Sequence, residues 1–471
     1  MHQEFLSEAL DYYKRFAAQT ADDDALREMI ALSHSKIGTL QERGGDRTAA
    51  LQSHRKALEL FTALQQTEPL NIEHQRHLGL CQNNLGQIYS ETGDPAAARA
   101  AFAAALAWQE ALVAADADPV YRSDLALTQN NLALLNFKMG QSQQAILLLE
   151  QAIRTQRELI RQRSERRDDV AQLGTFYLNL SGMLAETQPE LARQWSEEAL
   201  FEFQRLNELE PASPAHLRRI ASVLNQLGML QSRAGQYKDA VESHRKAQQI
   251  LQQLHTAAPL ETDYRADLAL TWNSLGSILN QLRDFPAAAA CFEQAVQLQA
   301  GLAEQLADDV EVRSTLGGMY NNLGVARKEA AQFDLAAEAF VNAIDAQQTA
   351  WRARPENPRY RDFLNNHQYN QGDVLRQLGQ GVRAAELALQ RGELWPEDPR
   401  RLQSVASELA MDVAVMRRQG VDAATCQRWE ETIRETLRKA GRHGLKISDV
   451  NDLPEPLRGL KSIRELRELW K

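Results

Sequence analysis

A short run, Asn-Asn-Leu-Gly or a near relative, returns at an almost fixed interval along most of this chain, and it limits the possible folds more than any other feature. Counted at its last residue, it falls at Gly38, Gly86, Ala133, Ser181, Gly228, Gly276, Gly324 and Gly372, at intervals of 48, 47, 48, 47, 48, 48 and 48 residues. A period of that length means that each unit is one supersecondary element unable to bury its apolar face alone, so neighbouring units must stack. At 471 residues the chain is in any case too long for one ordinary core.

Each unit resolves into two helices. Eight residues before the anchor stand Ile30, Leu78, Leu125, Leu173, Ile220, Leu268, Leu316 and Leu364, and two after it Leu40, Ile88, Leu135, Met183, Leu230, Ile278, Ala326 and Val374. With the Ile or Leu that precedes most anchors, they form an apolar stripe at helical spacing, which defines a first helix, A. Seven past the anchor comes Gly45, Gly93, Gly140, Gly235 or Gly379, a residue free to take positive φ where the chain reverses. A second helix, B, starts near Ala50, Ala98, Ala145, Ala240, Ala288, Ala336 and Ala384, twelve past the anchor. It continues through Ala57, Ala105, Ala152, Ala247, Ala295 and Ala343, nineteen past it, with Phe102, Phe292, Phe340 or Leu149 between. The Ser181 unit fits with a turn one residue shorter, which places Ala192 and Ala199. Few prolines (14) and an Ala-, Leu-, Gln- and Glu-rich composition suit helices and leave little for a sheet.

Leu85-Gly86, Gly93, Ala98, Phe102 and Ala105 together resemble the tetratricopeptide repeat (TPR), and Trp272, four before Gly276, fits the same pattern. The resemblance implies an all-α, right-handed superhelical solenoid of antiparallel helix pairs, with about eight repeats plus capping helices. An ordinary TPR unit has about 34 residues, so both helices here are expected to be longer by nearly two turns. The lead-ins Tyr121-Arg122, Tyr264-Arg265 and Tyr360-Arg361 mark the extension of helix A, and Pro69, Pro119, Pro211, Pro259 and Pro355 mark B-to-A connections. The expected organisation is an N-terminal capping helix within 1–24 (Glu4 to Gln19), eight repeats over 25–393, and a degenerate helical hairpin with polar faces and C-terminal cap over 394–471.

By the same resemblance the A helices line a concave groove that takes a peptide or partner protein. Asn84, Asn131, Asn179, Asn322 and Asn370 stand two residues before the anchor, and Asn83, Asn130, Asn225, Asn273 and Asn321 three before it. Asn is a poor mid-helix residue, so its recurrence on one face needs a reason. In TPR proteins such as kinesin light chain, with similar Asn-Asn-Leu-Ala runs, Asn at position −2 grips the backbone of a ligand. The alternative is a ladder of amides joining neighbouring A helices with no ligand. Position −2 is the better placed for a ligand and −3 for a ladder.

The extended units, the opening Leu6 to Phe16 and the closing Leu453 to Gly459 also resemble the arrays that follow the membrane span of large bacterial serine/threonine kinases. That resemblance implies a sensor or docking region, either a kinase fragment or a free-standing relative. Kinase motifs themselves are not found, and no carboxylate forms a constellation with a base or nucleophile, so no enzyme activity and no cofactor are expected. His74 and His77 read as a surface pair rather than a metal site. A net charge of −10 argues against nucleic acid, and Arg157, Arg161, Arg163, Arg166 and Arg167, interleaved with acids, read as a solvated helix end. Cys81, Cys291 and Cys426 show no pairing or ligand spacing and read as small buried residues. No segment has the length and apolarity of a membrane span. These features lean cytoplasmic, although the kinase resemblance would put the array on the far side of a membrane. They leave the ligand and the oligomeric state open.

Overall fold

The computed structural model describes residues 24–116, 118–162, 166–446 and 453–458. The expected N-terminal capping helix lies outside the described residues. Two compact units divide the chain, 1–230 and 231–471. The first holds α1 (Asp24–Arg43), α2 (Arg47–Thr67), α3 (Ile72–Thr92), α4 (Pro95–Ala115), α5 (Pro119–Lys138), α6 (Ser142–Gln162), α7 (Arg167–Leu184), α8 (Pro189–Leu209) and most of α9 (Pro214–Arg233). The second holds α10 (Tyr237–Ala257), α11 (Thr262–Gln281), α12 (Phe285–Gln305), α13 (Val310–Glu329), α14 (Phe333–Ala353), α15 (Pro358–Gln377), α16 (Gly381–Gly392), α17 (Pro399–Arg418), α18 (Ala423–Arg442) and a short α19 (Glu455–Arg458). Through α16, odd-numbered helices are A and even-numbered ones B, and no strand occurs among the described residues. The lengthening is found where it was expected: the B helices of α2 to α14 have 21 residues each. Tyr121, Tyr264 and Tyr360 are each the third residue of an A helix.

Local chemistry sets the helix boundaries. Asp46, Asn71, Asp94, Asp118, Asp284, Asp309 and Asn357 each accept a backbone N–H of the first turn, satisfying a donor that the helix cannot. Between A and B the chain reverses through Gly45, Gly93, Gly140, Gly235 and Gly379, all at φ between 73° and 83°. Arg283 (φ 64°) and Ala331 (φ 59°) hold the same left-handed turn without being glycine.

Packing follows the alanine rows. The eight alanines at the start of B, from Ala50 to Ala384 and including Ala192, are fully buried, as are the seven from Ala57 to Ala343 in its middle, including Ala199. Of the sixteen apolar positions that define helix A, all but Leu40, Leu125 and Leu316 are buried. The anchor is a slot. A Cβ on Gly86, Gly276 or Gly324 would come within 2.7, 2.9 or 2.6 Å of the ring of Phe102, Phe292 or Phe340. A Cβ on Gly38 would meet His54 at 2.5 Å. Where the anchor is Ala133 the residue sixteen later is Leu149, and where it is Ser181 the partner is Ser196, hydroxyl to hydroxyl at 2.6 Å. Anchor and wedge thus trade volume within one sequence.

Two expectations are corrected. His74 and His77 are not a surface pair: His74 is buried, and His77 stacks on Phe61 with ring centroids 4.7 Å apart. Arg157 is not a solvated cation; its Nε donates to the Tyr177 hydroxyl at 2.6 Å, and its guanidinium lies 5.2 and 5.4 Å from the Tyr177 and Trp195 rings. Arg161, Arg166 and Arg167 are exposed as expected, and Arg163 lies outside the described residues. The C-terminal hairpin, α17 and α18, has exposed polar faces, and two of its acids are buried as well. Glu408 and Asp412 of α17 point into the core with Val405, Leu409 and Val413.

Candidate functional site

The A helices of successive repeats touch within each unit, α3 with α5 and α5 with α7 in the first, α11 with α13 and α13 with α15 in the second. On their shared face the Asn rows meet across the repeat boundary. Asn131 Nδ2 donates to Asn83 Oδ1 at 3.0 Å, and Asn179 Nδ2 to Asn130 Oδ1 at 2.8 Å. Asn130 Nδ2 donates in turn to Asn131 Oδ1 at 3.1 Å, so four amides of the first unit form one continuous chain. In the second unit Asn322 Nδ2 donates to Asn273 Oδ1 at 3.0 Å and Asn370 Nδ2 to Asn321 Oδ1 at 2.9 Å. The rule is uniform: position −2 of one repeat donates to position −3 of the repeat before. Asn84 has no such partner type, because position −3 of the preceding repeat is Ser35.

All five −2 side chains are half-buried, and Asn83 and Asn130 are buried. A carboxamide has two N–H donors and an oxygen with two lone pairs, so one ladder bond fixes its orientation without exhausting it. The ladder reading of the rows is therefore present in the structure, on the −2 as well as the −3 residues.

A second line of polar contacts runs nearer the start of the A helices. Arg76 Nε donates to Asp124 at 2.7 Å, and Ser123 to Gln172 at 3.0 Å, again across one repeat. Burial pushes the Asp124 carboxyl above the ordinary carboxylate range, and the Arg76 bond opposes that shift. At the same end of the second unit, Tyr360 donates its hydroxyl to Glu311 at 2.8 Å.

The sequence reading missed two polar features. Gln109, Gln156, Gln299 and Gln347, twenty-three past their anchors, are buried on helix B. Gln156, Gln299 and Gln347 donate to the carbonyl of the third residue of the next A helix, Asp169, Val312 or Tyr360, at 3.0 to 3.1 Å. The period was visible in the sequence, but Gln is common throughout the chain and the row lapses at Phe61, Phe203 and Leu251. The other feature lies where the last repeat meets α17. Arg376 pairs with Asp412 at 3.1 Å, and Arg391 pairs with Glu408, donates to Asn365 at 3.1 Å and lies 5.5 Å from the Tyr369 ring. Burial lifts the Asp412 carboxyl to about 7 despite Arg376.

Cys81, Cys291 and Cys426 are free and buried, and burial raises the Cys81 and Cys291 thiols to about 12 and about 11. Among the described residues no group of three His, Cys, Asp or Glu is placed to hold a metal, and no helix is long and apolar enough to cross a membrane.

Helix pairs with this anchor, turn and alanine pattern are tetratricopeptide repeats, here in a lengthened form, and the chain is an all-α solenoid of them. Tetratricopeptide-repeat family models match residues 81–112, 125–160 and 269–301. Among solved structures the chain is similar to the apo form of RapI, at 12% identity over 88% of this chain and 98% of that one, with a TM-score of 0.50. It is also similar to PH0952 from Pyrococcus horikoshii, a signal transduction ATPase with numerous domains and a tetratricopeptide repeat sensor. That likeness is at 11% identity over 89% of this chain and 55% of that one, with a TM-score of 0.51. BtubC (BKLC) from P. vanneervenii is 25% identical over 54% of this chain and 90% of that one, with a TM-score of 0.43. The RapI and PH0952 likenesses are of fold. No curated protein matches the chain.

Proposed function

We propose that the chain is a non-enzymatic interaction scaffold whose A helices form a concave groove for an extended peptide or a segment of a partner protein. Asn84, Asn131, Asn179, Asn322 and Asn370 are its contact residues. The reading is supported by one observation above all: in each unit, half-buried amides stand in a row on A helices that touch. Ladder bonds hold four of them in a fixed orientation, each with hydrogen-bonding capacity left over. An extended peptide offers alternating N–H and C=O groups, which a row of oriented carboxamides can meet with donor and acceptor together. Preorientation lowers the side-chain entropy lost on binding, which favours affinity.

To test it, a binder to the full chain is selected from a random-peptide library. Its affinity is then measured for a variant carrying Asn179→Ala, Asn322→Ala and Asn370→Ala, with helicity followed by circular dichroism. The expected result is binding weakened at least about tenfold, roughly 1.4 kcal/mol, with the helix content kept. A binder indifferent to the three changes would overturn the groove assignment. A role as the sensor or docking region of a membrane serine/threonine kinase rests on the sequence likeness alone, and an in-frame kinase coding sequence upstream would decide it.

A further inference from the structure

Two ion pairs lie inside the joint between the last repeat and the C-terminal hairpin. Arg376 of α15 donates to Asp412 of α17 at 3.1 Å, and Arg391 of α16 pairs with Glu408, one turn earlier on α17. Their four side chains are exposed by only 0 to 9%. Between earlier repeats the ladder bonds join neutral amides, and the ion pair that crosses a repeat there, Arg76 with Asp124, is 27% and 15% exposed. The hairpin is thus fastened by charges taken out of water.

Asp412 is the least satisfied of the four. Its Oδ1 takes the bond from Arg376, while its Oδ2 is buried without a partner. Every element packed around it leaves that oxygen as it is. On α17, Glu408 adds a like charge and already accepts from Arg391 and Ser404. On α16, Arg391 is held by Glu408 and Asn365, and Gly381 is pressed so close that a Cβ there would meet the Asp412 carbonyl at 2.8 Å. On α15, His367 is buried and uncharged near neutral pH, because burial lowers it to about 4. The side chains that α18 and α19 bring into this core are Cys426, Ile433, Leu437 and Leu457. Burial outweighs the two arginines and lifts the Asp412 carboxyl to about 7.

We propose that this joint is a proton-sensitive latch: the packed hairpin holds one proton on Asp412, and loss of that proton lets α17 and α18 open locally from the last repeat. A carboxylate with an oxygen unpartnered in the core is costly, and it reaches water once α17 lifts. Opening of one terminal element requires far less than global unfolding. It also frees Arg376 and Arg391 on the last repeat, the latter beside Tyr369, whose ring lies 5.5 Å from its guanidinium. The direction follows from linkage. Between 3.8 and about 7 the packed state alone keeps the proton, so opening grows as pH rises through that window.

Amide hydrogen exchange of the full chain, read by mass spectrometry and corrected for the intrinsic pH dependence of exchange, follows opening helix by helix. From pH 6 to pH 8, opening of α17 and α18 is expected to rise about tenfold relative to α12 and α13 of the same unit. In Asp412→Asn the rise should vanish, because the amide has no proton to lose. In Arg376→Gln it should move to higher pH, since the cation that favours ionisation is gone. A merely structural role would raise opening in both variants by a factor independent of pH. Circular dichroism shows whether each variant keeps its helices. The unchanged chain is decisive by itself: a flat ratio from pH 6 to pH 8 would overturn the latch, as would an equal rise in Asp412→Asn.

Discussion

Arg391 stands where other repeats place an alanine buried to zero exposure, nineteen past the anchor, and its guanidinium has nowhere to go but the core. The residue three before it is Ala388 instead of a wedge, which makes room, and Glu408 and Asn365 meet the charge. Breaking a buried pair leaves the partner uncompensated, so Arg391→Ala is expected to cost roughly 3–5 kcal/mol in denaturant unfolding. Replacing both partners with leucine should come out near neutral. Ala331 supplies the opposite sign. It sits at φ 59°, where an L-residue is strained by about 1–2 kcal/mol, while glycine loses about 0.5–1 kcal/mol more entropy on folding. Ala331→Gly is therefore expected to stabilise the chain by about 0.5–1 kcal/mol, seen as a raised melting temperature.

At the scale of the element, the complementary unit is the pair formed by an anchor on helix A and a wedge on helix B. Gly86→Ala would set a methyl 2.7 Å from the Phe102 ring and should cost about 1–3 kcal/mol. The chain already contains the smaller solution in Ala133 with Leu149, so Gly86→Ala combined with Phe102→Leu should lose at least about 1 kcal/mol less than the sum of the two single changes. A double-mutant cycle by urea unfolding checks this, and strict additivity would show that the two positions do not share a slot. The alanine rows and the anchor could be read from the sequence because packing there depends on volume, which residue type alone reports. The correction at Arg157 came from a different cause, since a cation's partners depend on which ring the neighbouring A helix brings up, here Tyr177.

For the molecule as a whole, acid stability depends on buried groups that pull in opposite directions. Burial lowers His244 and His367 to about 4. Between the free value of 6.5 and that point only the unfolded chain takes up these protons, so stability falls as pH drops through the window. Asp412, lifted to about 7, does the reverse: between 3.8 and 7 the folded chain holds the extra proton, and stability falls as pH rises. Asp412→Asn removes one of the contributions that oppose the histidines. The decline in stability from pH 7 to pH 4, measured by urea unfolding at stepped pH, should therefore be steeper in Asp412→Asn than in the unchanged chain. A shallower decline would mean that Asp412 is ionised in the core and held there by Arg376.

The sequence alone determined the class of fold, the length of the helices, the turns and the alanine contacts, because each follows from local periodicity, residue size and backbone freedom repeated eight times. It also located the Asn rows, but it could not say whether their amides faced one another. That depended on the stagger between A helices, which puts position −2 of one repeat opposite position −3 of the last. Tertiary structure likewise decided the end of the array. There the period lapses: Gly379 and Gly420 mark the same turn only 41 residues apart, α16 is short, and the acids of α17 turn inward to Arg376 and Arg391. A repeat predicts itself wherever its neighbours are copies. At its last copy the partner surface is new, and only the packed chain shows what meets it.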